Sequence, residues 1–117
     1  MLPTVLIVDD HPSFRVTARA LLEAEGFDVV GEAEDGETAI EAAQRLRPEL
    51  VLLDVQLPDI DGFEVATRLT SNGNSPAIVL TSSRDVTEFS GLIERSGARG
   101  FVPKAELSAA ALTSLLA

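Results

Sequence analysis

Short apolar runs and longer amphipathic stretches alternate along this chain. "TVLIV" (4–8), "FDVVGEA" (27–33), "LVLL" (50–53), "AIVL" (77–80) and "RGFV" (99–102) are rich in apolar or β-branched residues and bounded by turn formers, which predicts five strands. Between and after them the apolar residues recur at helical spacing: Phe14, Ala18, Leu21 and Leu22; Ala39, Ile40, Ala43 and Leu46; Val65, Ala66 and Leu69; Phe89, Leu92 and Ile93; Leu107, Ala111, Leu112, Leu115 and Leu116. Each set lines one face of a helix, so five helices are expected. Pro12 stands where a first helical turn tolerates proline, Asp35 and Asp85 are placed to cap helices, and Gly26, Gly73 and Gly97 stand just past helix ends.

Near-continuous apolar strands separated by helices imply a parallel sheet covered on both faces. Five βα units are too few to close an eight-fold barrel, which leaves an open, doubly wound α/β sheet. Ligands of such sheets gather beyond the carboxyl ends of the strands. Asp9 and Asp10 stand there after strand one, Asp54 after strand three, Thr81 and Ser82 after strand four, and Lys104 after strand five.

Composition narrows the classes. The 117 residues, 12.4 kDa, fit a single domain, 1–117, and no apolar run approaches the ~18 residues of a membrane helix. The start, "MLPTVLIVDD", lacks the basic segment and cleavage site of a signal peptide, and the absence of cysteine agrees with a reducing, cytoplasmic location. A net charge of −10 argues against nucleic acid or anionic lipid as a direct partner and favours a divalent cation or a basic protein surface.

Taken singly, an Asp at a strand end reads as a turn former or helix cap. Taken together, carboxylates ending neighbouring strands ~4.8 Å apart repel one another, so something positive is expected between them. A carboxylate cluster without His or Cys suits Mg²⁺, which usually accompanies phosphate. Lys104 supplies a second positive charge, and as the only lysine among nine basic residues it stands apart from ordinary surface arginines. His11, beside the acidic pair and before Pro12, reads as an exposed turn residue rather than a ligand.

"LIVDDHPSFR", "LVLLDVQLPDIDGFEV" with its D-x-x-x-P-x-x-D-G spacing, "IVLTS" and "GARGFVPK" occur in an order and spacing that resemble the receiver domain of two-component response regulators over essentially the whole chain. The resemblance implies a flavodoxin-like fold with strand order 2-1-3-4-5 and helices on both faces. It also implies a phosphorylation-dependent signalling switch rather than an enzyme that turns over an external substrate. In that scheme Asp54 accepts a phosphoryl group from a sensor histidine kinase or a histidine phosphotransfer protein. Asp9, Asp10, Asp54 and the backbone carbonyl of Gln56 hold Mg²⁺, and Lys104 and Thr81 approach the phosphoryl oxygens, with Ser82 as the second candidate hydroxyl. Pro58 and Gly62 turn the chain away and leave the acceptor exposed. Phe101 takes the place of an aromatic switch residue, and the surface of helix four, strand five and helix five would then rearrange to control an unknown protein partner. A stand-alone single-domain regulator is expected, as a monomer or a phosphorylation-dependent dimer.

The competing class is a Mg²⁺-dependent phosphatase of the haloacid dehalogenase type, which also uses an Asp nucleophile on a parallel sheet. It needs a second Asp two residues on, and here that position is Gln56. Nucleotide binding finds neither a G-x-G-x-x-G nor a P-loop to support it.

Overall fold

The computed structural model describes residues 3–71, 75–83 and 89–116. Its elements are β1 (Thr4–Val8), α1 (Pro12–Ala24), β2 (Asp28–Ala33), α2 (Gly36–Leu46), β3 (Leu50–Asp54), α3 (Gly62–Leu69), β4 (Ala77–Ser82), α4 (Ser90–Arg95), β5 (Gly100–Pro103), a 3-10 turn (Lys104–Glu106) and α5 (Ala109–Leu116). The strands form one five-stranded sheet, order β2-β1-β3-β4-β5, in which every neighbouring pair is parallel.

Alternation along the strands sends one set of side chains to each face. Val8, Leu53 and Leu80 pack with Ala39, Val65 and Ala66 of α2 and α3, while Ile7, Leu52 and Val79 pack with Ala18, Leu22 and Leu112 of α1 and α5. Both layers exclude water almost completely, and each fully buried Leu, Ile or Val contributes on the order of 1.5–3 kcal/mol.

Local signals fix where the helices begin. Pro12 opens α1, Asp35 caps α2 by accepting from the Thr38 N–H at 2.8 Å, and Asp61 caps α3 by accepting from the Glu64 N–H at 2.9 Å. The expected cap Asp85 and the expected stop Gly73 lie outside the described residues.

Several boundaries differ from those expected. β4 runs on through Thr81 and Ser82, because Thr81 pairs with both Asp54 and Val102. β5 is displaced by one residue and ends on Pro103, which can occupy a strand end on an edge strand because no further ladder bond is required of it. Leu107, expected in the last helix, is extended at φ −62°, ψ 127°, and α5 starts two residues later.

Candidate functional site

Register places the site. β1 and β3 pair Val8 with Leu53, β3 and β4 pair Asp54 with Thr81, and β4 and β5 pair Thr81 with Val102. One step beyond Val8 comes Asp9, so Asp9, Asp54 and Thr81 stand side by side at the carboxyl edge of three adjacent strands. They continue the parity of Ile7, Leu52 and Val79, which face α1 and α5. Ser82 is one residue further and points to the opposite face, away from Asp54. Lys104 lies two residues past Val102, in the 3-10 turn, with its Nζ 4.5 Å from the ring centroid of Phe14 on α1.

The expected positive charge is supplied by the chain itself. Lys104 Nζ lies 2.6 Å from Asp9 Oδ2 and 3.3 Å from Asp54 Oδ2. Lys104 is therefore already at the Asp54 carboxylate in this structure. Nor is Asp54 exposed as expected: the residue is only 2% accessible, because Lys104 and the turn after β3 close over it. In that turn the Gln56 N–H donates to Asp54 Oδ1 at 3.1 Å, and Gly62 N–H donates to Val55 O at 2.8 Å. A side chain at position 62 would collide with the Asp54 carbonyl and Val55 Cα, so glycine is required for α3 to start this close to Asp54.

Burial sorts the titrations. Burial pushes the Asp54 carboxyl up to about 6, opposed by the Gln56 N–H, reinforced by the charge of Asp9 and opposed again by Lys104. Burial acts on Asp9 in the same sense, but the Lys104 ammonium and the N–H and ring of His11 outweigh it and hold that carboxyl below its ordinary value. Burial would lower Lys104, yet Asp9 and Asp54 together raise it, so the ammonium stays charged.

His11 is exposed, as expected, yet its ring reaches the acidic pair. Its Nδ1 lies 3.0 Å from Asp9 Oδ1 and 3.1 Å from Asp10 Oδ1, and ligand atoms of Asp9, Asp10, His11 and Asp54 all lie within 4.8 Å of one another.

A divalent cation fits these residues. Asp9 Oδ2 is buried against the Lys104 ammonium at 2.6 Å, and as a hard carboxylate oxygen clustered with Asp10 and Asp54 it suits a divalent cation that would compete with that ammonium. Thr81 Oγ1 is also buried without a hydrogen-bond partner, an arrangement that leaves a donor waiting beside Asp54. A cleft of about 1150 Å³ opens at the other edge of the sheet between Ile40, Arg47, Pro48, Arg68, Pro76 and Arg99. It shares no residue with the acidic cluster.

Two contacts at this edge were not foreseen. Asp59, just after Pro58, accepts from the first two N–H groups of α2, Gly36 at 2.8 Å and Glu37 at 3.0 Å, tying the turn after β3 to a second helix. Arg15 donates to the backbone carbonyl of Asp9 at 2.6 Å. Both are tertiary contacts with no local sequence signature; the only hint was an arginine on the first turns of the helix that follows the acidic pair.

A parallel 2-1-3-4-5 sheet with acidic residues, a hydroxyl and a lysine at its carboxyl edge defines a class, and sequence comparison agrees with it. The chain matches the response regulator receiver domain family over residues 5–116 and belongs to it. Domains of this family are phosphorylation-dependent signalling switches, and the phosphatase alternative finds no support.

Among its relatives is BvgA of Bordetella pertussis, 41% identical over 102 residues, 87% of this chain and 49% of that protein. Another is the nitrate/nitrite response regulator NarL of Escherichia coli K12, 37% identical over 102 residues, 86% of this chain and 47% of that protein. The chain thus spans about half the length of the curated relatives it matches. Among solved structures, the signal receiver domain of NarL from Mycobacterium tuberculosis superposes with a TM-score of 0.86 at 33% identity, covering 98% of this chain and 97% of that one.

Proposed function

We propose that Asp54 accepts the phosphoryl group, and that Asp9, Asp10 and the Gln56 carbonyl join it in holding Mg²⁺. The observation that carries this reading is the buried Asp54 carboxylate, contacted by Lys104 at 3.3 Å and register-paired with the unpartnered hydroxyl of Thr81. With a pKa of about 6, Asp54 is mostly ionised at neutral pH, as a nucleophile must be. Its carboxylate oxygen forms the new bond to phosphorus while the bond from phosphorus to the donor's histidine nitrogen breaks, and the electron pair leaves with the imidazole. Bound Mg²⁺ supplies charge neutralisation for the phosphoryl oxygens.

Lys104, already in place, exchanges the Asp54 carboxylate for a phosphoryl oxygen. Thr81 then donates its free hydroxyl to another, which draws the end of β4 toward the acceptor. Phe101, paired in register with Leu80, packs on Phe89 at a centroid distance of 6.0 Å, and Phe89 packs on Phe63 at 5.5 Å. A shift at Thr81 is thereby passed through β4 to an aromatic row joining α3, α4 and β5. The donor is a sensor histidine kinase or a histidine phosphotransfer protein, the receiver of the signal is a protein that binds the α4, β5 and α5 surface, and the compartment is the cytoplasm. For a partner to sense the change it must favour one state by a few kcal/mol.

The test is intact-mass measurement after incubation with acetyl phosphate and Mg²⁺. One phosphoryl group, roughly 80 Da, is expected on the parent chain and none on Asp54→Asn. Undiminished labelling of Asp54→Asn moves the acceptor to another residue.

A further inference from the structure

Asp9, one residue past the end of β1, still donates its N–H to Ala33 O at 3.0 Å. The register of β1 with both neighbours ends one residue earlier, at Val8, so the Asp9 carbonyl has left the sheet. That carbonyl belongs to the peptide joining Asp9 to Asp10, and the plane of this peptide sets the direction in which Asp10 leaves the strand. Among the described residues Arg15 holds it, its Nη1 donating to it at 2.6 Å. Arg15 Nε meanwhile donates to Glu32 Oε1 at 3.0 Å, and the other oxygen of Glu32 accepts from Arg19 Nη1 at 2.6 Å. Arg19 is itself braced, since its Nη2 donates to Val29 O at 3.1 Å and its Nε lies 3.5 Å from Glu23 Oε2. A row of alternating charges therefore runs from α1 over the end of β2 to the acidic loop, and the Arg15 side chain at its inner end is only 16% exposed.

We propose that Arg15, fixed by Glu32, is a positioning residue that sets the Asp9–Asp10 peptide plane and through it the affinity of the acidic cluster for a divalent cation. The inference rests on the reading of Asp9 and Asp10 as cation holders given above. It makes a prediction of unusual sign. By charge alone, removing a cationic side chain beside two carboxylates should tighten Mg²⁺ binding, since one repulsion is lost. A positioning role requires the reverse, because the ligands lose their alignment. The guanidinium fork is needed for two acceptors at once, a task a lysine ammonium performs poorly.

The experiment titrates the full chain with Mg²⁺ and follows the amide resonances of Asp10 and His11. Arg15→Gln is expected to weaken Mg²⁺ roughly tenfold, and Arg15→Lys by about threefold, since it restores charge but not the fork. Arg68→Gln makes the same change of net charge at the exposed Arg68–Glu64 pair and should not weaken binding. In acetyl phosphate labelling, Arg15→Gln should need correspondingly more Mg²⁺ for half-maximal rate yet reach the parent rate at saturation, a split that a general loss of structure does not produce. Unchanged or tighter binding by folded Arg15→Gln overturns the proposal. If that variant fails to fold, Arg15→Lys decides, because it leaves the net charge unchanged, with weaker Mg²⁺ binding in support and parent affinity against. Should the parent chain itself show no Mg²⁺-dependent shifts, the cation reading of Asp9 and Asp10 falls, and this inference with it.

Discussion

The two ends of the sheet handle their polar groups in opposite ways. At the amino end, Thr4 N–H donates to Glu49 Oε1 at 3.1 Å while Glu49 N–H donates to Thr4 Oγ1 at 2.9 Å, a reciprocal pair open to solvent that locks β1 to the start of β3. At the carboxyl end, Asp9, Asp54 and Thr81 are each 2% exposed or less, Asp9 Oδ2 faces the Lys104 ammonium at 2.6 Å, and Thr81 Oγ1 lacks a hydrogen-bond partner among the described residues. The same strands supply both ends. One end is finished as a structural joint, and the other is left with buried charge and unsatisfied oxygen, which costs stability and makes sense where a charged group is to be received.

The comparison can be broken most directly at Asp54. Its folded pKa of about 6 lies above the ordinary 3.8, so the native state binds the proton more tightly than the unfolded chain does. The stability contribution of Asp54 is therefore complete below about pH 4 and is lost as pH rises through 6. Asp54→Asn removes that loss. Chemical denaturation should find the variant more stable than the parent by roughly 3 kcal/mol at pH 8, with the two converging near pH 4. Equal stability at pH 8 would show that Lys104 fully offsets the burial of the carboxylate.

Thr81→Val comes next in size. The valine keeps the shape and removes an unsatisfied buried oxygen, so stability should rise by about 1 kcal/mol. The same variant should accept the phosphoryl mimic beryllofluoride with Mg²⁺, but the amide resonances around Phe101 should stay near their resting positions. A drop in stability would reveal a resting partner for the hydroxyl, and full movement at Phe101 would transfer the switching role to Ser82.

The smallest effect belongs to the finished end. Glu49→Gln retains an acceptor in an exposed contact, so its stability should stay within about 0.5 kcal/mol of the parent and its phosphoryl labelling should be unaltered. Lost labelling in this variant would mean that the two ends are not independent.

Much of this contrast was legible in the sequence, for reasons visible in particular residues. β1 was bounded correctly at Thr4 and Val8 because a strand buried on both faces reads as an unbroken apolar run between a proline and an acidic pair. Asp9, Asp10, Asp54 and Lys104 could be assigned to one edge because a parallel sheet turns sequence order into spatial order. The polar ends of strands were harder. Thr81 and Ser82 looked like loop residues because hydropathy falls there, yet both continue β4 through backbone pairing, to which hydropathy is blind. The burial of Asp54 was missed because it depends on what folds over it, chiefly a lysine fifty positions away. Asp59 on α2, Arg15 on Asp9 and the place of His11 in the acidic cluster were likewise decided by three-dimensional neighbours.

The bridging lysine has a practical consequence. Lys104 is the sole lysine of the chain, so apart from the terminal α-amino group it is the only primary amine that acylating reagents can find. Its raised pKa keeps the amine protonated and slow to react while Asp9 and Asp54 hold it. The rate of its acylation is thus a one-residue reporter of the pocket, and acetylation there would remove the charge that holds the two aspartates together at rest.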